Sequence, residues 1–248
     1  MVTNNLKLYY NVSLKFKDYN HIKTIFRDFC KERLKRAKPT KDKAIRDKLA
    51  CKLLFLKLKD YQNILLYSPL GHEPDIRPLI LKLRQQNKCV WLPKSIKKGA
   101  NFSKEGFTIA PFRLPLRRLG WFDEPNLSHY YKQELDCIVV PILGMDTSFR
   151  RVGFGLGMYD RSLPQLFKRR LKRPLIVFVS RELVIANGVL TNAYDIEADL
   201  YMNARIVMKN NKRKHYEQRV NLHFIRSLGS VFDYRSNHVL CDEKDLLC

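Results

Sequence analysis

Leu135 to Leu163 reads LDCIVVPILGMDTSFRRVGFGLGMYDRSL, and the fold follows from how this stretch divides. Leu135, Cys137, Ile138, Val139, Val140 and Pro141 form an apolar run too short for a helix and closed by turn residues, which predicts a buried strand. Gly153, Gly155 and Gly157 then alternate, and glycine lets a backbone take left-handed angles and approach a ligand closely. MYDRSLPQLF reads as a helix whose N-terminal dipole, with converging loop amides, favours an anion. Arg151 and Arg161 flank the loop with positive charge. The same glycines also suit a plain tight connection, and Asp160 also suits a first helical turn.

Outward from this stretch the chain continues to alternate strands with helices. In NILLYSPLGHEPDIRPLILKLRQQNKCVWLPKS, a strand at Ile64–Tyr67, a helix at Arg77–Gln86 and a strand at Cys89–Leu92 predict a crossover and a parallel sheet. Ligands of such sheets gather at the C-terminal ends of strands, where SPLGHEPD lies. Glu73 stands out there, and a solvated loop acid is the plain alternative. His72 carries no assigned role. PLIVFVS predicts another buried strand, and Ile206 and Val207 a last one. The fold class is therefore α/β, a mainly parallel sheet flanked by helices in three Rossmann-like layers.

Before this core, Ile22, Ile25, Phe26, Phe29, Cys30 and Leu34 recur at helical spacing, with Lys23, Arg27, Lys31 and Lys35 on another face. Like charges so spaced repel modestly. A second helix, capped by Thr40 after Pro39, is expected to bury Ile45, Leu49, Leu53 and Leu56. Val12, Leu14 and Phe16 alternate as a short edge strand would. The expected organisation is an N-terminal extension at 1–20, an α/β domain at 21–208 and a C-terminal extension at 209–248.

Composition narrows the function. The 248 residues carry 47 Lys and Arg against 24 Asp and Glu, a net charge of +23, with 45% hydrophobic residues. That chain is globular, and its charge suits polyanionic partners: nucleic acid, an anionic surface, or phosphorylated and carboxylated small molecules. Residues 1–60 alone hold 17 Lys and Arg against 6 Asp and Glu. Six cysteines at 30, 51, 89, 137, 241 and 248 show no zinc spacing, and Cys89 and Cys137 are expected as buried thiols. With no apolar run of membrane-spanning length and no signal-like N-terminus, a cytoplasmic protein is expected; a monomer is also expected.

The quoted stretch resembles the signature of the 5-formyltetrahydrofolate cyclo-ligase (methenyltetrahydrofolate synthetase) family, VPGLAFDxxGxRLGYGGGYYDRFL. Val140, Pro141, Asp146, Arg151, Gly153, Gly155, Gly157, Tyr159, Asp160, Arg161 and Leu163 fall in register. KTIFR resembles the family's KxxLR, with Phe26 for leucine. SPLGHEPD is similar to its YLSLGNEVDT, through Tyr67, Leu70, Gly71, Glu73 and Asp75. YDIEAD resembles HDxxxD through Asp195 and Asp199, with Tyr194 for histidine. The likeness covers residues 21 to 208.

The resemblance implies ATP-dependent cyclisation of 5-formyltetrahydrofolate to 5,10-methenyltetrahydrofolate, with ATP and Mg²⁺ as cofactors. By it, Lys23, Arg27, Arg151, Gly153, Phe154, Gly155, Leu156, Gly157, Met158 and Tyr159 would bind ATP. Ser68, Glu73 and Tyr159 would bind the folate, Arg151 and Tyr159 would serve catalysis, and Asp160 and Asp195 would hold the metal. Trp121 would line the pterin pocket or pack structurally. Three departures stand out: Phe149 replaces a glycine, Leu156 a glycine or lysine, and Met158 a tyrosine, which predicts slow turnover. Two other readings keep the scaffold and change the function. One is a nucleic-acid-binding protein using Lys168, Arg169, Arg170, Lys172 and Arg173, and the other is a folate-binding member without catalysis.

Overall fold

The run at 135–141 is buried on both faces and forms the middle of a seven-stranded sheet. The computed structural model describes residues 19–36, 41–96, 106–119, 122–126, 134–167 and 173–211. Thr40, Trp121, the alternation at Val12 to Phe16, the Lys168–Lys172 cluster and most of the C-terminal extension lie outside them. The elements in chain order are α1 Tyr19–Arg36, α2 Lys41–Leu58, β1 Asn63–Leu65, α3 Arg77–Gln85, β2 Cys89–Ser95, β3 Phe107–Pro111, β4 Leu116–Leu119, β5 Phe122–Pro125 and β6 Cys137–Pro141. They continue as β7 Gly144–Met145, β8 Arg151–Val152, α4 Met158–Phe167, β9 Leu175–Val179, β10 Leu200–Met202 and β11 Val207–Lys209.

The sheet runs β11-β10-β9-β6-β1-β2-β3. β2, β1, β6, β9 and β10 are parallel, and β3 and β11 close the two edges antiparallel. Parallel strands must be covered on both faces, hence their unbroken Ile, Leu and Val. Tyr159 and Leu163 of α4 pack in one cluster with Leu65, Ile138, Val140, Ile176 and Phe178. Because side chains alternate along a strand, Ile64, Cys137, Val139, Leu175 and Val177 face the other way, toward the side covered by α2 and α3. Strand order reverses between β1 and β6, the kind of crevice where open α/β sheets bind ligands.

After β6 the chain makes a short hairpin, β7 with β8, whose tip is residues 146–150. Asp146 organises it. One carboxylate oxygen accepts from the Ser148 amide at 2.9 Å, the Ser148 hydroxyl at 2.6 Å and the Arg150 amide at 3.3 Å. The other accepts from the amides of Leu190 and Thr191 and from the Thr191 hydroxyl at 2.5 Å. Burial works against its charge, but these donors more than offset burial and hold the carboxyl below its ordinary 3.8. Phe149, at the signature's glycine position, takes φ +56°. That left-handed angle costs a side chain about 1 kcal/mol, offset here by packing of the ring on the main core cluster.

α1 packs on the segments that follow β6 and β9. Phe26, Phe29 and Leu34 lie against Cys30, Leu143 and Val184, while Ile22 and Phe26 meet Val152, Ala186 and Leu190. Gly144 leaves no room for a side chain, since a Cβ there would sit 2.9 Å from the Phe26 ring. Three expectations need correction. Ile25 points outward, 53% exposed. Cys89 is exposed rather than buried. On α2, Ile45 and Leu56 are exposed, and the buried face carries Asp47, Ala50, Cys51, Leu53, Leu54, Lys57 and Leu58. The helix is rolled because Asp47 faces inward, accepting two bonds from Arg181 and one from the Asp75 amide.

Asp146→Asn places amide hydrogens against donors and removes the charge. We expect it to lower unfolding free energy near pH 7 by about 3 kcal/mol, measured by urea denaturation. Since the native carboxyl is held low, its contribution is present above pH 3.8 and fades as pH falls further. The wild-type and variant stabilities should therefore converge in acid.

Candidate active site

At the switch point lies a cavity of about 270 Å³, lined by residues from both sides of the reversal. Tyr67, Ser68, Leu70, His72 and Glu73 come from the segment after β1, and Pro141 and Leu143 from the end of β6. Arg151, Gly153, Phe154, Leu156, Gly157, Met158 and Tyr159 come from β8, the glycine loop and α4. The predicted folate-side residues and most of the predicted loop residues therefore share one wall. Lys23, Arg27, Gly155, Asp160 and Asp195 do not line the cavity: Arg27 lies on the loop that carries Gly155, Asp160 lies beside Arg151, and Lys23 and Asp195 pair with each other.

The three glycines are required for two different reasons. Gly155 and Gly157 have φ of +100° and +60°, where a side chain is strained. A Cβ on Gly153 would instead fall 2.1 Å from an Arg151 guanidinium nitrogen. Arg151 is thus laid flat along the loop, 4.9 Å over the Tyr159 ring. It is buried, its Nε lies 3.7 Å from Asp160, and neither Nε nor Nη1 has a hydrogen-bond partner among the described residues. A buried guanidinium so left is a preformed anion receptor.

α1 supplies two cations. Arg27 Nε donates to the Gly153 carbonyl at 2.9 Å, and its guanidinium lies 3.4 to 3.5 Å from where a Gly155 Cβ would be. Lys23 Nζ donates to Asp195 at 2.5 Å and lies 5.9 Å over the Tyr194 ring. The basic row divides here, because Lys31 and Lys35 pair instead with Asp28 and Glu32 one turn back. Arg161 donates to the Leu156 carbonyl at 2.6 Å, bracing the loop from its far end.

Glu73 accepts from the Leu70 amide at 2.9 Å. Burial pushes its carboxyl up from 4.5 to about 7, against the pull of that amide, Arg151 and Arg181. Burial, and then the charge of Glu73, hold the Tyr159 phenol protonated, so it serves as a donor. Arg181, unremarked in the sequence, spans the site's flank, bonding Asp47 and the Gly71 carbonyl at 2.9 Å. Its signal was available in its position directly after the buried strand LIVFVS, at a strand's C-terminal end.

Mg²⁺ takes oxygen ligands, commonly one or two carboxylates plus substrate phosphates. Among the described residues no three His, Cys, Asp or Glu side chains cluster as a self-sufficient metal cage. Asp160 accepts from the Ile196 amide at 3.1 Å through Oδ1, and Oδ2 takes no hydrogen bond from a described residue, so it fits an ion shared with phosphates. Asp195 is engaged at both oxygens, by Lys23 and by the Asn192 amide. Arg173, the described member of the basic cluster, is paired with Asp199 and the Glu197 carbonyl.

A sheet with this strand order and a cavity at its reversal defines an α/β protein built to enclose a small ligand. The model of the 5-formyltetrahydrofolate cyclo-ligase family matches residues 20–202, and the chain belongs to that family. It is similar to the 5-formyltetrahydrofolate cyclo-ligase of Mycoplasma pneumoniae, 27% identical over 82 residues that cover 33% of this chain and 47% of that one. The Mycoplasma genitalium counterpart is 27% identical over 111 residues, 45% and 56% of the two chains. The chain thus spans about half the length of the curated relatives it matches. Its fold is similar to the NMR structure of Aquifex aeolicus 5,10-methenyltetrahydrofolate synthetase, with a TM-score of 0.60 at 22% identity, covering 80% of this chain and 98% of that one. The Mycoplasma pneumoniae 5,10-methenyltetrahydrofolate synthetase follows at 0.54 and 20%, with coverage of 73% and 98%.

Glu73 gives a stability test. Between pH 4.5 and about 7 the native carboxyl keeps a proton that the unfolded chain releases, so stability falls as pH rises through that window. At pH 8 Glu73→Gln should be more stable than wild type by about 3 kcal/mol, a benefit that disappears near pH 4. Paired urea titrations at the two pH values measure it.

Proposed function

We propose that the protein catalyses ATP-dependent cyclisation of 5-formyltetrahydrofolate to 5,10-methenyltetrahydrofolate, releasing ADP and phosphate. The observation that carries this reading is the buried Arg151 guanidinium, without a hydrogen bond from Nε or Nη1 among the described residues, lining the same cavity as Glu73. An anion entering beside Gly153 would satisfy it, and Arg27 lies on the same loop. Family membership supplies the substrates that fit: a triphosphate and a reduced folate with a formamide.

The chemistry suits these parts. A formamide oxygen is a poor leaving group, so it attacks the γ-phosphorus of ATP and the bond to ADP breaks. N10 then adds to the activated formyl carbon, loses its proton and closes the ring as phosphate departs with the C–O electron pair. Phosphoryl transfer of this kind asks a protein for alignment and charge neutralisation rather than a covalent nucleophile. Amides of Gly153 to Met158 would hold the triphosphate, with Arg27 and Arg151 offsetting its charge. Lys23 would exchange Asp195 for a phosphate oxygen, freeing that carboxylate to join Asp160. Bound there, Mg²⁺ would neutralise phosphate charge. Ser68, Glu73 and the Tyr159 hydroxyl would orient the folate, within walls given by Leu70, Phe154, Leu156 and Met158.

Purified protein should produce an ATP-dependent rise in methenyl-folate absorbance. No rise, with both ligands binding in calorimetry, would leave a folate-binding protein without catalysis. Arg27→Ala should raise the KM for ATP ten- to a hundredfold, the loss of about 1.4–2.8 kcal/mol expected for one charge-assisted contact. Asp160→Asn should depress kcat more than KM for folate.

A further inference from the structure

His72 is a cavity residue for which the proposed reaction has no use, and its surroundings are unusual. Its Nε2 is buried without a hydrogen-bond partner among the described residues, 4.0 Å from Glu73 Oε1. The imidazole is held against Phe154 of the glycine loop, ring centroids 4.3 Å apart. The His72 side chain is 34% exposed and that of Glu73 12%, so the imidazole reaches further toward solvent than the carboxylate behind it. Both line the same cavity.

We propose that His72 is the proton outlet of Glu73, an imidazole through which a proton taken up by the enclosed carboxylate passes to solvent. The inference rests on the proposed cyclisation, because ring closure sets one proton free as N10 becomes bonded to the formyl carbon. The carboxylate of Glu73 accepts that proton, with its electrons remaining on the new N10–C bond system. Nε2 of His72 then takes it from the carboxylic acid, and the opposite ring nitrogen releases its own proton to water. Phosphate, leaving with the C–O electron pair, takes one proton back from water, so a turnover releases no net proton and both groups return to their starting state.

The surrounding charges suit a transient relay rather than a permanent ion pair. Burial holds Glu73 toward its protonated form, Arg151 and Arg181 face it and pull the other way, and Tyr67 and Tyr159 lie beside it as neutral phenols. Burial first, and Arg181 second, hold the imidazole below its ordinary 6.5. His72 is therefore neutral at pH 7, with a lone pair available for a proton and no tendency to retain it. The gap of 4.0 Å is longer than a hydrogen bond, and a small turn of either side chain closes it.

Two measurements test this, the first of them separately from the reaction itself. In the ligand-free protein, the His72 ring resonances in an NMR titration should show a secondary inflection near the Glu73 midpoint of about 7, absent in Glu73→Gln, because the facing carboxyl gains its charge there. A wild-type titration without that inflection would overturn the pairing whatever the protein catalyses. In the cyclisation assay, His72→Ala should lose about tenfold in kcat with the folate KM little changed, and added imidazole should restore rate in proportion to its concentration. Full activity in His72→Ala, or a loss that imidazole fails to restore, would overturn the outlet. A wild type that binds both ligands yet forms no methenyl product would sink the cyclisation, and the outlet with it, while the NMR titration would still decide whether the two groups are coupled.

Discussion

A single buried carboxylate, Asp146, holds the site in shape. Its two oxygens face different parts of the chain, one closing the hairpin tip through Ser148 and Arg150 and the other gathering Leu190 and Thr191 from more than forty positions downstream. With all its donors in place the charge is stable in the interior; with one removed it would be an uncompensated charge in a low-dielectric setting. The direction of β8, and with it the approach of Arg151 to the glycine loop, follows from this anchoring. Even the strained angle at Phe149 is held from both sides, its amide donating to the Asp146 carbonyl and its carbonyl accepting from Ala198.

On that frame the site is assembled by close approach. Gly144 lets Phe26 rest on the hairpin, and Gly153 lets Arg151 lie along the loop. In each case the absent side chain is what admits a ring or a cation. α1 then serves packing and charge together: its apolar stripe faces the hairpin, and the adjoining turns carry Arg27 to the loop and Lys23 to Asp195. The positive charges of Arg27 and Arg151 gather beside the glycine loop, an arrangement that suits a polyphosphate.

Much of this was legible in the residues themselves. The order of strand, glycine loop and helix depends on neighbours in sequence, so β6, α4 and the apolar stripe of α1 could be read from spacing, and the parallel sheet from the alternation of elements. The buried face of α2 could not, because its registration is set by a polar anchor: Asp47 turns inward to meet Arg181, 134 positions away. Cys89 looked like core but begins a strand whose first position faces solvent. The role of Asp146 was equally hidden, since an acid in a loop reads as solvated until its six donors are brought to it. Lys23 and Asp195, 172 positions apart, give no local sign of their pairing.

That long separation also bears on how the chain comes to be folded. A polypeptide made from its N-terminus exposes α1 first, yet the surfaces that receive it include Val184, Ala186 and Leu190, and its cations meet partners at 153 and 195. During synthesis the helix must wait, basic and amphipathic, until most of the sheet has emerged. Assembly of the anion receptor is therefore a late event, and a nascent chain halted before residue 195 would have its central strands but no completed site.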